Sequence, residues 1–198
     1  MIGSLRGRVR AKAPPQLTVE VGGVGYEVEA PMSTIYHLPV VGAEVELLTH
    51  LVVREDAHVL YGFATEEERR LFRSLIRVSG VGPKIALALL SGISVAAFAQ
   101  YVQNEDVTAL TRVPGIGRKT AERLIVEMRD RLKAEAESAA TVVLPAGATP
   151  SAESEAYGAL VALGYRPAEA ARLLKAAGPG THSTEELIRR ALQGAARE

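Results

Sequence analysis

The sequence predicts a multidomain α+β protein with three parts in chain order. These are a small N-terminal β-barrel, a central helical region built on a duplicated turn, and a C-terminal three-helix bundle. Three observations predict it. Residues 1–63 alternate apolar and polar positions with a period of two, and at Thr65 the period becomes helical. Residues 75–90 (LIRVSGVGPKIALALL) and 110–125 (LTRVPGIGRKTAERLI) are copies thirty-five residues apart, identical at eight of sixteen positions. A stretch rich in Ala, Ser, Thr, Pro and Gly from Glu135 to about Pro150 then sets off a last helical segment.

The barrel rests on several short strand-like runs. Ile2 to Arg10 places Arg6, Arg8 and Arg10 on one face and Leu5, Gly7 and Val9 on the other. The arginine face reads either as solvated or as a nucleic-acid contact. Leu17–Val21 and Val24–Ala30 flank a Gly22-Gly23 turn. Pro31 to Pro39 interrupts, with a short helical turn expected from Ser33. Glu44–Val53 and His58–Phe63 flank Arg54-Glu55-Asp56-Ala57, a hairpin tip. Five or six strands in this length suit an OB-fold, although periodicity alone does not separate it from other small barrels.

Helix signals then follow in order. Thr65 and Glu68 form a capping-box pattern, with Leu71, Leu75, Ile76 and Val78 on the inner side of the helix they start. Pro83 suits the first position of the next helix, which Gly92 stops. Ser94 is a cap for a helix to about Val102, and Asn104 for a short one before the second turn. A long helix is expected from Arg118 to about Ala134, with Ala121, Leu124, Ile125, Met128 and Leu132 in one stripe. In the last segment, helices are expected over Glu153–Leu163, from Pro167 to near Gly178-Pro179-Gly180, and from a Ser183 cap with Glu186 as its partner. Tyr157, Leu160, Leu163 and Tyr165 are the expected core. The organisation is therefore 1–63 barrel, 64–138 helical region, 139–150 linker and 151–198 bundle.

Composition narrows the function. The chain has 198 residues, 47% hydrophobic and 23% charged, an ordinary globular balance. It has no run of about 18 apolar residues and no secretory pattern in MIGSLRGRVR. It has no Cys, which excludes disulfides and thiolate metal sites and fits a cytoplasmic location. His37, His50, His58 and His182 are scattered, so no metal site is expected. Net charge is zero, but the sum hides a split. Lys+Arg minus Asp+Glu is 5 − 7 = −2 over residues 1–63, 12 − 9 = +3 over 64–135, and 6 − 7 = −1 over 136–198. The positive segment is the one that holds the duplicated turns.

Those turns carry the chemistry. Each Gly-x-Gly lays backbone N–H groups at a helix start, where an anion binds. Glycine lets a phosphate approach the backbone, and Lys84 and Lys119 add charge at matched offsets. The candidate phosphate-binding residues are Gly80, Gly82, Lys84, Gly115, Gly117, Arg118, Lys119 and Arg123. Two such cradles suit the two strands of a duplex, gripped without reading bases. Gly115-Ile-Gly-Arg-Lys-Thr120 is not a Walker loop, because Arg118 separates Gly117 from Lys119. No nucleophile–base–orienter set and no acidic cluster for two-metal nuclease chemistry stands out. Glu55 and Asp56 read as a solvated turn or, in a DNA binder, as carboxylates that repel phosphate.

A barrel carrying Arg54-Glu55-Asp56, then SGVGPKIALALLSG, then PGIGRKTAERLIVEMRDRL, then a linker and a bundle with ALVALGY, resembles the RuvA family. MIG at the start and VGGVGYEVEAP in the barrel extend the likeness along the whole chain. RuvA proteins are the Holliday-junction-binding subunits of bacterial RuvAB branch-migration complexes. The resemblance implies an OB-fold, tandem helix–hairpin–helix motifs and a tethered C-terminal domain that docks the RuvB motor. It implies a homotetramer, one or two of which clasp a four-way junction, in recombination, DNA repair and the SOS response. It makes Glu55 and Asp56 the acidic pin at the junction centre, implies no catalytic residue, cofactor or ATP site, and admits the RuvC resolvase as a further partner. The rival class is a repair enzyme, a glycosylase or nuclease that uses the same hairpins. It would need a catalytic Lys or Asp beyond them, and the nearest Asp is Asp130, flanked by Arg129 and Arg131.

Overall fold

The computed structural model describes residues 2–140, 151–176 and 183–195. The chain divides into two compact units, Met1–Ala134 and Glu135–Glu198.

The first unit opens with β1 (Ser4–Ala13), β2 (Gln16–Val21), β3 (Val24–Glu29), α1 (Met32–His37), β4 (Glu44–Val53) and β5 (His58–Phe63). The strands close a barrel in the order β1-β2-β3-β5-β4, all neighbours antiparallel except the β3–β5 pair. A five-stranded barrel in this order, with a helix between β3 and β4, is the OB-fold. β1 serves two partners: Ser4 to Arg8 pair with β4 and Arg8 to Ala13 with β2, with a register shift between Val9 and Ala11. Gly7 permits the approach, since a Cβ there would lie 2.0 Å from the Glu20 carbonyl oxygen. The alternation read from the sequence places Leu5, Val9, Leu17, Val19, Val28, Leu47 and Leu60 inside. The arginine face is interleaved with carboxylates: Arg6 lies opposite Glu46, Arg8 opposite Glu44 and Glu20, and Arg10 is ion-paired to Glu20. That arrangement suits a solvated face.

The helical part comprises α2 (Glu66–Leu75), α3 (Pro83–Gly92), α4 (Val95–Gln103), α5 (Val107–Thr111) and α6 (Arg118–Ala140). Thr65 caps α2, its hydroxyl accepting from the Glu68 N–H at 3.2 Å, and Ser94 caps α4 in the same way. Two local expectations are corrected. Asn104 is the C-cap of α4; α5 is capped by Asp106, whose carboxylate accepts from the Ala109 N–H at 2.9 Å. Glu68 does not complete a capping box on Thr65, because its carboxylate reaches Ala64 and two hydroxyls of α1 instead. α6 continues to Ala140 beyond its expected end. Its stripe of Ala121, Leu124, Ile125 and Met128 is buried, while the side chain of Leu132 lies outside those described.

Barrel and helices share a core. Tyr61 and Phe63 of β5 join Leu71, Phe72, Leu75, Val78, Leu89, Leu110, Leu124 and Met128 in one buried cluster. Phe72, fully buried, packs its ring 4.9 Å from both Tyr61 and Phe63 and 5.7 Å from His50. Each such aromatic pair stabilises by about 0.5–1.5 kcal/mol beyond area burial. Among the described residues no single helix is long and apolar enough to cross a membrane.

His50 is a titratable group at this seam. Burial holds its pKa below 6.5, and Arg73, Arg69 and Arg77 add to the depression. The neutral ring accepts from the Arg73 Nε at 3.3 Å. A folded pKa below the unfolded one means that the unfolded chain binds the extra proton, so stability is full above about 6.5 and declines as pH falls through that value. Thermal melts between pH 8 and 5.5 should therefore show a fall of a few degrees that shrinks in His50→Gln.

The second unit contains α7 (Ala152–Ala162), α8 (Pro167–Ala176) and α9 (Thr184–Ala195). Their shared core is Ala156, Leu160, Ala170, Leu173, Leu174, Leu187 and Ala191, with Tyr157 and Tyr165 packed against it. Ser183 caps α9, accepting from the Glu186 N–H at 3.3 Å. Leu163 corrects the expected core: it is 62% exposed, because α7 ends at Ala162 and the chain turns there at Gly164. The stretch Gly178-Pro179-Gly180 and residues 141–150 of the expected linker lie outside the described residues.

Candidate nucleic-acid interface

The duplication read from the sequence is a duplication of backbone structure. The Val78 N–H donates to the Leu75 carbonyl at 2.9 Å, matched by Val113 to Leu110 at 3.2 Å. Val81 donates to Val78 at 3.0 Å, matched by Ile116 to Val113 at 3.1 Å. Ala86 donates to Gly82 at 3.0 Å, matched by Ala121 to Gly117 at 2.9 Å. Gly80 and Gly115 take φ of +88° and +87°, a left-handed backbone that side-chain-bearing residues rarely adopt. The middle residues, Val81 and Ile116, turn inward and are each 4% exposed.

The second Gly of each turn starts a helix. Gly82 is the N-cap of α3 with Pro83 at its first position, and Gly117 occupies the equivalent place before α6. The first amides of each helix have no intrahelical acceptor and present N–H groups outward, where the helix dipole favours an anion. The cradles are not equal. Pro83 has no N–H, whereas Arg118 at the matching position has both an amide and a guanidinium, so the second cradle holds one more donor and one more cation.

Lys84 and Lys119 are exposed beside their turns, and neither forms an ion pair with a described residue. Arg118 is exposed and pairs with Glu122 at 2.9 Å. Arg123, on α6, reaches across to the other turn, donating to the Ser79 carbonyl at 3.0 Å; a Cβ on Gly80 would lie 3.9 Å from its Nη1. Conversely, Ile85 of α3 lies 3.6 Å from where a Gly115 Cβ would sit. Arg123 of α6 thus braces the first turn, and Ile85 of α3 lies beside the second. Arg77 and Arg112 also occupy matched, exposed positions three residues before Gly80 and Gly115. The signal for them was already in the aligned repeats, where both are identical positions.

Glu55 and Asp56 sit exposed at the tip of the β4–β5 hairpin, closed by Val53 opposite His58 and by the Arg54 N–H donating to the Ala57 carbonyl at 2.9 Å. Behind the tip, Val52 and Val59 pack on the core of the helical part. Among the described residues no group of three or more His, Cys, Asp or Glu is placed to hold a metal ion. Asp130 lies on α6, but its side chain is outside those described.

Comparisons with known proteins follow the same divisions. Residues 1–62 match the family model of the RuvA N terminal domain, residues 72–130 that of the SAM-like helix-hairpin-helix tandem, and residues 151–196 that of the RuvA C-terminal domain. The chain is 56% identical over 201 residues to the Holliday junction branch migration complex subunit RuvA of Pseudomonas putida, covering 98% of each chain. It is 57% identical over 196 residues to that of Nitrosococcus oceani, again covering 98% of each. To that of Stutzerimonas stutzeri it is 54% identical over 199 residues, covering 98% of this chain and 99% of the relative. A chain that shares more than half its aligned residues with these subunits across 98% of its own length belongs to the RuvA family.

Proposed function

We propose that this chain binds Holliday junctions as the non-catalytic subunit of a branch migration complex. The observation that carries the reading is the pair of turns matched bond for bond, in the basic segment of a chain whose full-length relatives bear that subunit's name. Amides at Gly80, Gly82, Gly115 and Gly117, with Lys84, Arg118, Lys119 and Arg123, hold the phosphates of a duplex arm. Such contacts are independent of sequence and weaken with salt.

The other parts take complementary roles. The paired carboxylates of Glu55 and Asp56, carried at the end of a stiff hairpin, repel phosphate and hold strands apart at the crossover. Assembly as a homotetramer repeats the cradles around four arms and converts weak sites into tight binding. Residues 151–198 dock the ATP-driven motor RuvB, so hydrolysis takes place on the partner and this chain needs neither nucleotide nor metal. The complex works in the cytoplasm.

The test is a gel-shift comparison of a four-way junction with a duplex of equal length. Wild-type protein should prefer the junction, with log K falling linearly against log salt. Glu55→Gln with Asp56→Asn removes the repulsion and should narrow that preference by about tenfold, chiefly by tightening duplex binding. Equal affinity of wild-type protein for both DNAs would overturn the reading.

A further inference from the structure

The acidic tip and the phosphate cradles belong to different architectures, a barrel and a helical tandem. Their separation and angle are set where the two meet. At that seam the Phe72 ring packs at a tilt against Tyr61 and Phe63, and two side-chain bonds join α2 to the barrel beside it, Arg73 Nε to His50 Nδ1 at 3.3 Å and Arg69 Nη1 to the Gly3 carbonyl at 2.7 Å. Another side of the seam is not closed by packing. A cleft of about 410 Å³ runs along it, lined by Ser33, His37, Thr65, Glu68, Leu90 and Val95 among others.

A polar lattice crosses that open side, centred on one carboxylate. Glu68, in the first turn of α2, accepts from the Ser33 hydroxyl at 2.5 Å on Oε1 and from the Thr34 hydroxyl at 2.8 Å on Oε2. The Ala64 N–H, where the chain leaves β5, donates to the Thr34 hydroxyl at 3.0 Å and to Glu68 Oε2 at 3.3 Å. Thr34 is fully buried. A second link lies alongside: the Met32 N–H at the start of α1 donates to the Ser91 Oγ of α3 at 3.0 Å, and that hydroxyl donates to the Leu87 carbonyl at 2.6 Å. Glu68 therefore ties together α1, the end of β5 and the start of α2.

We propose that Glu68 is a positioning residue for junction recognition: it fixes the angle between barrel and hairpins, and so the place of the acidic tip relative to the phosphate cradles. The proposal rests on the function given above. β5, whose Val59, Tyr61 and Phe63 pack on the helical core, carries any tilt of the barrel to the tip. It runs six residues from the tip side to Phe63, about 20 Å at the rise of a strand. A rotation of about 10° at the Glu68 end therefore carries the tip about 3.5 Å, enough to displace a carboxylate from a phosphate. Hydrogen bonds to a carboxylate are directional, so they hold an angle more firmly than apolar packing does.

The experiment uses the full chain with Glu68→Ala and, separately, Ser33→Ala with Thr34→Val, which removes both hydroxyl donors and keeps the carboxylate. Each is compared with wild type on duplex and four-way junction, alone and combined with Glu55→Gln and Asp56→Asn. Junction preference should fall by about tenfold, chiefly through tighter duplex binding, because the tip is no longer held where it repels phosphate. Combined with the neutralised tip, loss of Glu68 should add nothing further, because both changes act through one element. A Glu68→Ala protein that keeps the wild-type preference overturns the proposal, as do additive effects in the combined variant. If instead wild-type protein shows no junction preference, the functional reading itself fails, a different result from either. Should Glu68→Ala not fold, the hydroxyl-deletion variant decides by the same ratio.

Discussion

Gly115→Val weakens junction binding by roughly tenfold to a hundredfold, with the barrel still folded. The left-handed φ of +87° at this position is closed to a β-branched residue, and forcing it costs about 1–3 kcal/mol. The Ile85 side chain, 3.6 Å from the new Cβ, leaves little room for the larger side chain to relax into. The turn must change its backbone, which re-aims the first amides of α6 and moves Arg118 and Lys119 with them. The second cradle, with its additional amide donor, is where such damage has the larger effect. Gly117→Ala separates the contributions. Its φ is not left-handed and no atom lies within 4 Å of the added methyl, so the protein folds normally while the methyl occupies space a phosphate would use. Gel shifts at fixed salt, with melting curves alongside, measure both variants. Unchanged affinity in Gly115→Val would remove the second turn from the binding surface.

Truncation after Ala140 leaves junction affinity within about twofold and abolishes motor-driven branch migration. The bundle of α7, α8 and α9 has a core of its own, built from Ala156, Leu160, Ala170, Leu173, Leu174, Leu187 and Ala191, so it is removed as a unit. Supplying residues 151–198 as a separate chain should not restore activity if they dock the motor as proposed, because a covalent link would give them their effective concentration near the DNA. Strand-exchange assays with the motor and ATP read this directly. Full stimulation by the truncated chain would disprove the docking role.

Features determined by a few neighbouring residues were legible in the sequence. The capping residues Thr65, Ser94 and Ser183, the Pro83 helix start, and the two glycine turns all express local rules about orphan amides and positive φ. The repeat alignment found both cradles because copies of one backbone need the same residues at the same offsets. The differences lie where the path of the chain decides. Asn104 ends α4 instead of starting α5, and the path of the chain between the two helices leaves Asp106 as the cap. Leu163 carries an apolar side chain in an apolar run, yet the turn at Gly164 leaves it outside. Closure of the barrel through the parallel β3–β5 pair follows from no local pattern, and the braces from Arg123 to Ser79 and from Glu68 to α1 join residues 44 and about 35 positions apart. The acidic tip was visible as a turn, but nothing in its own residues distinguished a solvated loop from a wedge.

The inward-facing Val81 and Ile116 have a consequence for how such a surface evolves. Each turn divides its work between adjacent residues: the middle one is an apolar anchor in the core, and its neighbours face solvent. Cations at positions 84, 118 and 119 can therefore be exchanged, added or lost with little effect on folding, while the anchor keeps the amides aimed. Grip strength becomes a quantity that drifts and can be selected separately from foldability. A designer could retune the DNA affinity of this chain by surface charge alone.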